Sequence, residues 1–533
     1  MALTITYDDY LDRIYGGWLG KSIGGTVGAR FEGYKGWIEI EPDQMFPAEV
    51  PPNDDLDLQV LWLKVLEEKG ARLTSDDLAE AWLEHCWYPF NEYGTFRRNW
   101  RLGIHPPYSG RYDNEFWETG MGSPIRSEIW GYVFPGAPDL AAAYARQDAQ
   151  LDHTEQSTGA EMMFAAMAAL AFWVHDLRRL IGMAIHRLPA GSTIERLTHA
   201  ALSAHARGLE LREARELLLT LEGHPEACDS RLNVPFTILA LLYGRGDLQE
   251  TLLSALRCGY DTDCTLATAG AFVGQILGAR AIPEHLKAPI GDQLVMGISY
   301  RRPGMTLRAL ARDTARVGVR LAREVGTGTE IVDAPPMAPR TAEAITAKGA
   351  ARLRVEYDGL PCAAPGEAVG VTVHVEGNLL EGGETLTVEP PEGWAAQPAQ
   401  VRVSDAMRQA HFALRADPAM PALPMRNLFR LRLGDVEHTF GLAGAALWRF
   451  LGVYFDPLPP EGDPAAQRRR FNHHFVDLTR AYLGEPAVDV QGLFRRWSRL
   501  LGRPAIVVAR ERRVELERVT GLQGAYATYL ART

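Results

Sequence analysis

Apolar residues in the first 330 positions recur at helical spacing. Leu58 to Leu66 is a mostly apolar stretch closed by Gly70, and Met162 to Val174 is apolar nearly all round, which predicts a central buried helix. Thr265 to Leu277 is similar, with Ala and Gly that let neighbouring helices approach closely. Thr74-Ser-Asp-Asp77 before an amphipathic run predicts a helix start with acidic first-turn residues. Alternation of period two is scarce, so residues 1–330 predict one large all-α domain. Gly, Thr and Pro then dominate, giving a linker over 331–349. Beyond it the period changes. Val369, Val371, Val373 and Val375 alternate with small or polar residues, and Leu386/Val388, Val401/Val403, Phe412/Leu414 and Phe429/Leu431/Leu433 repeat the pattern. This predicts an Ig-like antiparallel β-sandwich over 350–445. Residues 446–533 predict a small mixed α/β segment, with a helix over 468–482 and a strand over 505–508.

Composition narrows the function more than the fold. With 46% hydrophobic and 23% charged residues, the 533-residue chain is not disordered in the main. Its formal charge of −11 argues against general nucleic-acid binding and against anionic membrane surfaces. Five scattered cysteines, without any CxxC pair, form neither a disulfide framework nor a cysteine zinc site. The N-terminus has no basic and apolar leader, and the longest uncharged run, 264–279, is too short to span a membrane. A cytoplasmic location is expected.

Candidate chemistry sits in three segments. In the first, Gly20, Gly24 and Gly28 form a small-residue face at helical spacing that ends in a turn carrying Glu32. In the second, Asn53 is a good N-cap, and Asp54, Asp55 and Asp57 enter the first turn of an apolar helix. Acidic residues complement a helix dipole there, but three within four positions exceed what capping needs and repel one another. In the third, Gly259 leads to Asp261-Thr-Asp263 and directly into the apolar run from Cys264. An Asp pair at the mouth of a core helix needs a partner. Oxygen-only ligands favour Mg²⁺, Mn²⁺ or Ca²⁺ over zinc, and five carboxylates (Glu32, Asp54, Asp55, Asp261, Asp263) balance two divalent ions with about one negative charge over.

In this order the three segments resemble the ADP-ribosylglycohydrolase family over about residues 8–325. The resemblance implies an all-α fold with a binuclear Mg²⁺ site, with Mn²⁺ as the alternative. It implies Asp54, Asp55, Asp261 and Asp263 as metal ligands, and Glu32 as the acidic residue at the cleft mouth. Glu32, Asp55 and Asp261 are then the candidates for acid and base. Cys264 stands where the family has its ligating Thr, and Thr265, one place later, is the further candidate metal ligand. Asn53 and Leu56 replace two flanking threonines, Gly25 replaces an Asp, and Asp57 is an extra carboxylate that could compensate for a lost ligand. Thr119-Gly-Met-Gly122-Ser123-Pro-Ile-Arg126 and Asp152-His153-Thr154 are similar to the family's substrate-lining segments, which implies Gly122, Ser123, Arg126 and His153 as substrate-binding.

The leading expectation is thus a Mg²⁺-dependent hydrolase removing ADP-ribose from an acceptor. A rival keeps the metal but acts on a nucleoside or carbohydrate glycoside, for which the aromatic residues Trp87, Tyr88, Trp100, Tyr108, Tyr112 and Trp117 would stack on sugar. A third reading is a binding module that has lost catalysis.

Overall fold

The computed structural model describes residues 3–444, apart from 89–90, 113, 115–116, 224–225, 337–350, 364–365, 378–382, 421–422 and 424–425. The C-terminal segment expected over 446–533 and most of the expected linker lie outside these residues. The chain divides into two compact units. Among the described residues, the first takes those up to 94 and then 116–334; the second takes 95–115 and 335–444.

The first unit is helical. Its helices are α1 (Tyr7–Gly28), α2 (Asp54–Lys69), α3 (Ser75–His85), the start of α4 (Asn91–Arg101), α5 (Glu128–Val133), α6 (Pro138–Ala149), α7 (Glu155–Leu170) and α8 (Leu177–Ala184). They continue with α9 (Thr193–Ala206), α10 (Leu211–Glu222), α11 (Ser230–Gly244), α12 (Leu248–Cys258), α13 (Thr262–Leu277), α14 (Glu284–Lys287) and α15 (Leu307–Val325). A parallel pair of short strands, β1 (Leu3–Thr6) and β2 (Thr329–Val332), ties the two ends of the unit together. Thr74 caps α3 in a reciprocal box with Asp77, as its sequence predicts. The expected central helix begins earlier, at Glu155, and ends at Leu170, four residues before Val174.

One helix pair organises this unit. The glycines at 16, 20, 24 and 28 of α1 lie against Gly274, Gly270, Leu266 and Thr262 of α13, so the two helices run antiparallel in steps of four. A Cβ at any of those four glycines would fall within 3.0 Å of an α13 carbonyl oxygen. Absence of side chains is therefore what lets the backbones touch. The register has a consequence for chemistry: the C-terminal end of α1, with Glu32 just beyond, meets the N-terminal end of α13, with Asp261 just before it.

The second unit holds two four-stranded antiparallel sheets. Its strands are β3 (Arg352–Tyr357), β4 (Ala368–Glu376), β5 (Glu384–Glu389), β6 (Trp394–Gln397), β7 (Gln400–Val403), β8 (Gln409–Ala416), β9 (Arg426–Leu433) and β10 (Val436–Ala443). The sheet orders are β3-β4-β8-β6 and β10-β9-β5-β7. Val369, Val371, Val373 and Val375 face one side of β4 and share a core with Leu386, Val388, Phe412, Leu414, Phe429 and Leu431 from both sheets. The 95–115 segment also belongs here: Leu102, Ile104 and Tyr112 cluster with Ala443, and the Tyr108 hydroxyl donates to the Tyr357 carbonyl at 3.3 Å. Among the described residues no helix is long and apolar enough to cross a membrane.

Candidate active site

The α1–α13 register is completed by four bonds at its acidic end. Thr262 Oγ1 donates to the Gly28 carbonyl at 2.9 Å, and Gly33 N–H to the Tyr260 carbonyl at 2.8 Å. Tyr260 N–H donates in turn to the Tyr34 carbonyl at 2.7 Å, while Tyr260 sits at φ +66°, a region few non-glycine residues occupy. Next to it, Asp261 N–H donates to Asn233 Oδ1 at 3.1 Å. The other amide end of Asn233 donates to the carbonyls of Ala227 at 2.7 Å and Asp229 at 2.9 Å. One α11 side chain thereby fixes both Asp261 and the loop that carries Cys228.

The start of α2 arrives by a different device. Asn53 caps the helix, its Oδ1 accepting from Asp55 N–H at 2.9 Å. Its amide nitrogen occupies the space over Gly25, where any side chain would collide with it. Asp55 is thereby brought beside Asp263 and Cys264, and one ligand atom from each of the three lies within 4.8 Å of the others, all buried. A second group, Glu32, Cys228 and Asp261, meets the same spacing, with Glu32 and Cys228 half-buried.

Electrostatics at these groups is adverse for bare carboxylates. The side-chain oxygens of Asp55 and Asp261 are buried and accept no hydrogen bond among the described residues. Burial pushes Asp55 well above the usual carboxylate range; Lys21 offsets part of this, while Asp263 and Asp54 add to it. Burial, then Asp263 and Glu32, push Asp261 the same way. Buried acceptors without donors are costly, and a native fold keeps them for a reason. A divalent cation satisfies every one of these oxygens, so the donor set fits a metal. Lys21, itself fully buried, donates to Glu128 Oε1 at 3.0 Å, and Gln59 donates to Glu128 Oε2 at 2.8 Å.

A third buried group lies on the Gly120–Ser123 turn. His153 Nδ1 is 2.8 Å from Asp152 Oδ1, and its Nε2 is 3.6 Å from Glu92 Oε1. Burial alone would lower the imidazole, but Asp152 and Glu92 outweigh it and hold it up at about 9, so it is charged at neutral pH. The Glu92 carboxylate packs on Gly120 and Gly122, leaving no room for a Cβ at Gly122. Ser123 Oγ is buried beside them with no hydrogen-bond partner among the described residues.

The family model for ADP-ribosylglycohydrolase matches residues 6–326. The chain belongs to that family. Among solved structures, a chain titled "ADP-ribosylglycohydrolase-related protein complex" is similar at 19% identity, covering 59% of this chain and 99% of its own length with a TM-score of 0.39. No curated protein matches. The chain is accordingly a hydrolase of glycosidic bonds, from a metal-dependent family that acts on ADP-ribosyl groups.

Several expected site residues have partners within the fold. Arg126 is fully buried and bonds Asp152 at 2.9 and 2.8 Å and Asp148 at 3.0 Å, so its guanidinium supports His153 through Asp152. Asp57 accepts from the Tyr88 hydroxyl at 2.5 Å and from Gly297 N–H at 3.0 and 3.1 Å, which pins the 297 loop and replaces the expected role as a spare ligand. Thr265 turns its hydroxyl back to the Thr262 carbonyl at 3.3 Å, and the preceding thiol of Cys264 is the group beside Asp55 and Asp263. Of the aromatic residues, Tyr88, Tyr112 and Trp117 are buried, and Tyr108 is engaged with Tyr357, whereas Trp87 is 54% exposed. Lys21, Glu92, Cys228 and Asn233 escaped the sequence reading. Lys21 carried a signal: a lysine amid Gly16–Gly28 has nowhere to reach solvent once that face is packed.

Proposed function

We propose that this chain removes ADP-ribose from an acceptor by divalent-cation-dependent hydrolysis, with the cations held by Asp54, Asp55, Asp261 and Asp263 and with Mg²⁺ or Mn²⁺ at the position open to water. The observation that carries the reading is the set of buried, donor-less oxygens on Asp55 and Asp261, with Asp55 meeting Asp263 from a helix start some 200 residues away in sequence. When bound, the cations supply fixation of the ribose hydroxyls and a water of lowered pKa. The chain's own groups do the rest. Glu32, half-buried while Asp55 and Asp261 are sealed, meets solvent and takes the proton of the attacking water. Charged His153, between Asp152 and Glu92, fixes the Gly120–Ser123 turn so that the Ser123 hydroxyl is available to a substrate oxygen. Cleavage builds oxocarbenium character at the ribose carbon, which the surrounding carboxylates stabilise. The two-sheet unit is an Ig-like accessory module in this reading, supported by its own separate core.

Turnover of ADP-ribosyl-arginine, ADP-ribosyl-serine, nucleosides and aryl glycosides, each with and without Mg²⁺ or Mn²⁺, tests the proposal. The expected result is cation-dependent release of ADP-ribose, abolished in Asp261→Asn. Release of sugar from the simple glycosides alone would overturn it in favour of the carbohydrate reading.

A further inference from the structure

We propose that the inner of the two cation positions is a mixed oxygen–sulfur site, in which Cys264 joins Asp55 and Asp263 as a ligand and selects a borderline ion of the zinc class over Mg²⁺. The inference rests on the metal reading above but concerns which ion the position takes.

The geometry points to it in two ways. The Cys264 sulfur and one oxygen each from Asp55 and Asp263 lie within 4.8 Å of one another, and all three residues are buried. Asp55, 0% exposed, aims two oxygens without hydrogen-bond donors into this group, so the position asks for a ligand independently of the thiol.

Donor chemistry then decides the ion. Mg²⁺ demands a near-ideal octahedron of oxygens and keeps several waters, whereas this group offers a sulfur among its donors and is buried. Zinc takes thiolate and carboxylate together in four-coordinate sites, and three protein ligands leave one position open for water. Soft sulfur shifts affinity further toward the zinc end of the series. The outer group, Glu32, Cys228 and Asp261, also carries a sulfur, but Glu32 and Cys228 are half-buried, so that position keeps access to water with which to complete the shell of a harder ion. Binding a metal to Cys264 requires loss of its thiol proton to solvent; no oxidant or other reactant is involved.

Cobalt(II) loading of the full-length protein, followed by near-ultraviolet absorption, reads the sulfur bond directly, through the thiolate-to-cobalt charge-transfer band. The wild type should show the band, Cys228→Ser should keep it, and Cys264→Ser should lose it while still folding and still binding cobalt. Equilibrium dialysis against Zn²⁺ and Mg²⁺ should show the zinc preference falling at least about tenfold in Cys264→Thr, since losing a ligand should cost no less than losing a supporting hydrogen bond to one. A cobalt-bound wild type without the band overturns the sulfur ligand and leaves the metal reading standing. A band lost only in Cys228→Ser overturns the choice of cysteine. A wild type that binds no divalent ion by dialysis overturns both readings together.

Discussion

Gly24→Ala tests the helix seam on which the site is built. The new methyl would fall within 3.0 Å of the Leu266 carbonyl oxygen, with backbone and not a movable side chain as the obstacle. Reaching an ordinary carbon contact then means parting α1 from α13 by roughly 1 Å. Overpacking of this kind costs about 1–3 kcal/mol where side chains can adjust, and here they cannot, so the upper end applies. Against this, alanine gains about 1 kcal/mol over glycine in a helix interior. The net expectation is a loss of about 2 kcal/mol, or a fall in melting temperature of roughly 3 °C for a unit of this size. Gly182→Ala in α8 supplies the control, because that glycine is exposed with nothing within 4 Å of a Cβ. There the helix gain acts alone, and the same substitution should stabilise by roughly 0.5–1 kcal/mol. Urea and thermal melts of both variants measure the difference. Because the seam ends at Asp261, Gly24→Ala should also shrink the stabilisation conferred by divalent cations. Equal stabilisation by the two substitutions would refute the close approach of the helices.

Asp261→Asn should remove most turnover and most of the melting-temperature rise produced by millimolar Mg²⁺ or Mn²⁺, with stability in chelator unchanged or higher, because a repelling charge is gone; calorimetry checks all three. His153 is held up at about 9 against an ordinary 6.5, so its contribution to stability is complete below pH 6.5 and is lost as pH rises through 9. The stability gap between wild type and His153→Gln should therefore narrow by roughly 3 kcal/mol over that window in urea titrations, and a constant gap would remove the charged histidine from the argument. Asn53→Ala should cost about 1 kcal/mol through the lost cap. Truncation after residue 340 should leave Leu102, Ile104 and Tyr112 without their partner Ala443, giving a fragment that binds hydrophobic dye more strongly than the full chain.

What the sequence made legible follows from the range of each signal. Asp54/Asp55 and Asp261/Asp263 were readable because each pair sits at a helix start, and a capping residue, acidic first turn and apolar run are all local. The two-sheet unit was readable for the same reason, since Val369 to Val375 alternate within one strand. Cys228 and Asn233 were not, because their importance lies in one long-range bond, from Asp261 N–H to the Asn233 amide, that no spacing encodes. The aromatic residues after Trp87 misled in a similar way. Residues 95–115 interrupt the helical part of the sequence but fold with strands more than 200 residues later, so rings that looked free for sugar are partly consumed in packing. Arg126 is a parallel case: a lone arginine after a Gly-rich turn suggests an anion ligand, and only the fold reveals the two aspartates that use up its donors.

The departures from the family pattern bear on whether the site has decayed or been retuned. Decay would leave changes that are independent of one another. Gly25 and Asn53 are not independent. The asparagine amide fills the space that a residue other than glycine at 25 would need, so replacing the usual Asp by Gly and the usual Thr by Asn amounts to one structural change. It preserves the cap of α2 and hence the placement of Asp55. Cys264 behaves likewise: it removes a hydroxyl but sets a sulfur against two buried acidic residues, in a group whose three ligand atoms keep metal-like spacing. Lys21 and Glu128 form an ion pair at 3.0 Å with both side chains fully buried beside Asp55, an arrangement that costs several kcal/mol of desolvation per ion and so is hard to retain without use. Coordinated substitution around carboxylates that all remain in place is the pattern of a site adjusted to a different ion or substrate. A binding module that had lost its chemistry would have no reason to keep Asp55 and Asp261 buried without hydrogen-bond donors, where burial disfavours their charged form unless a cation is bound.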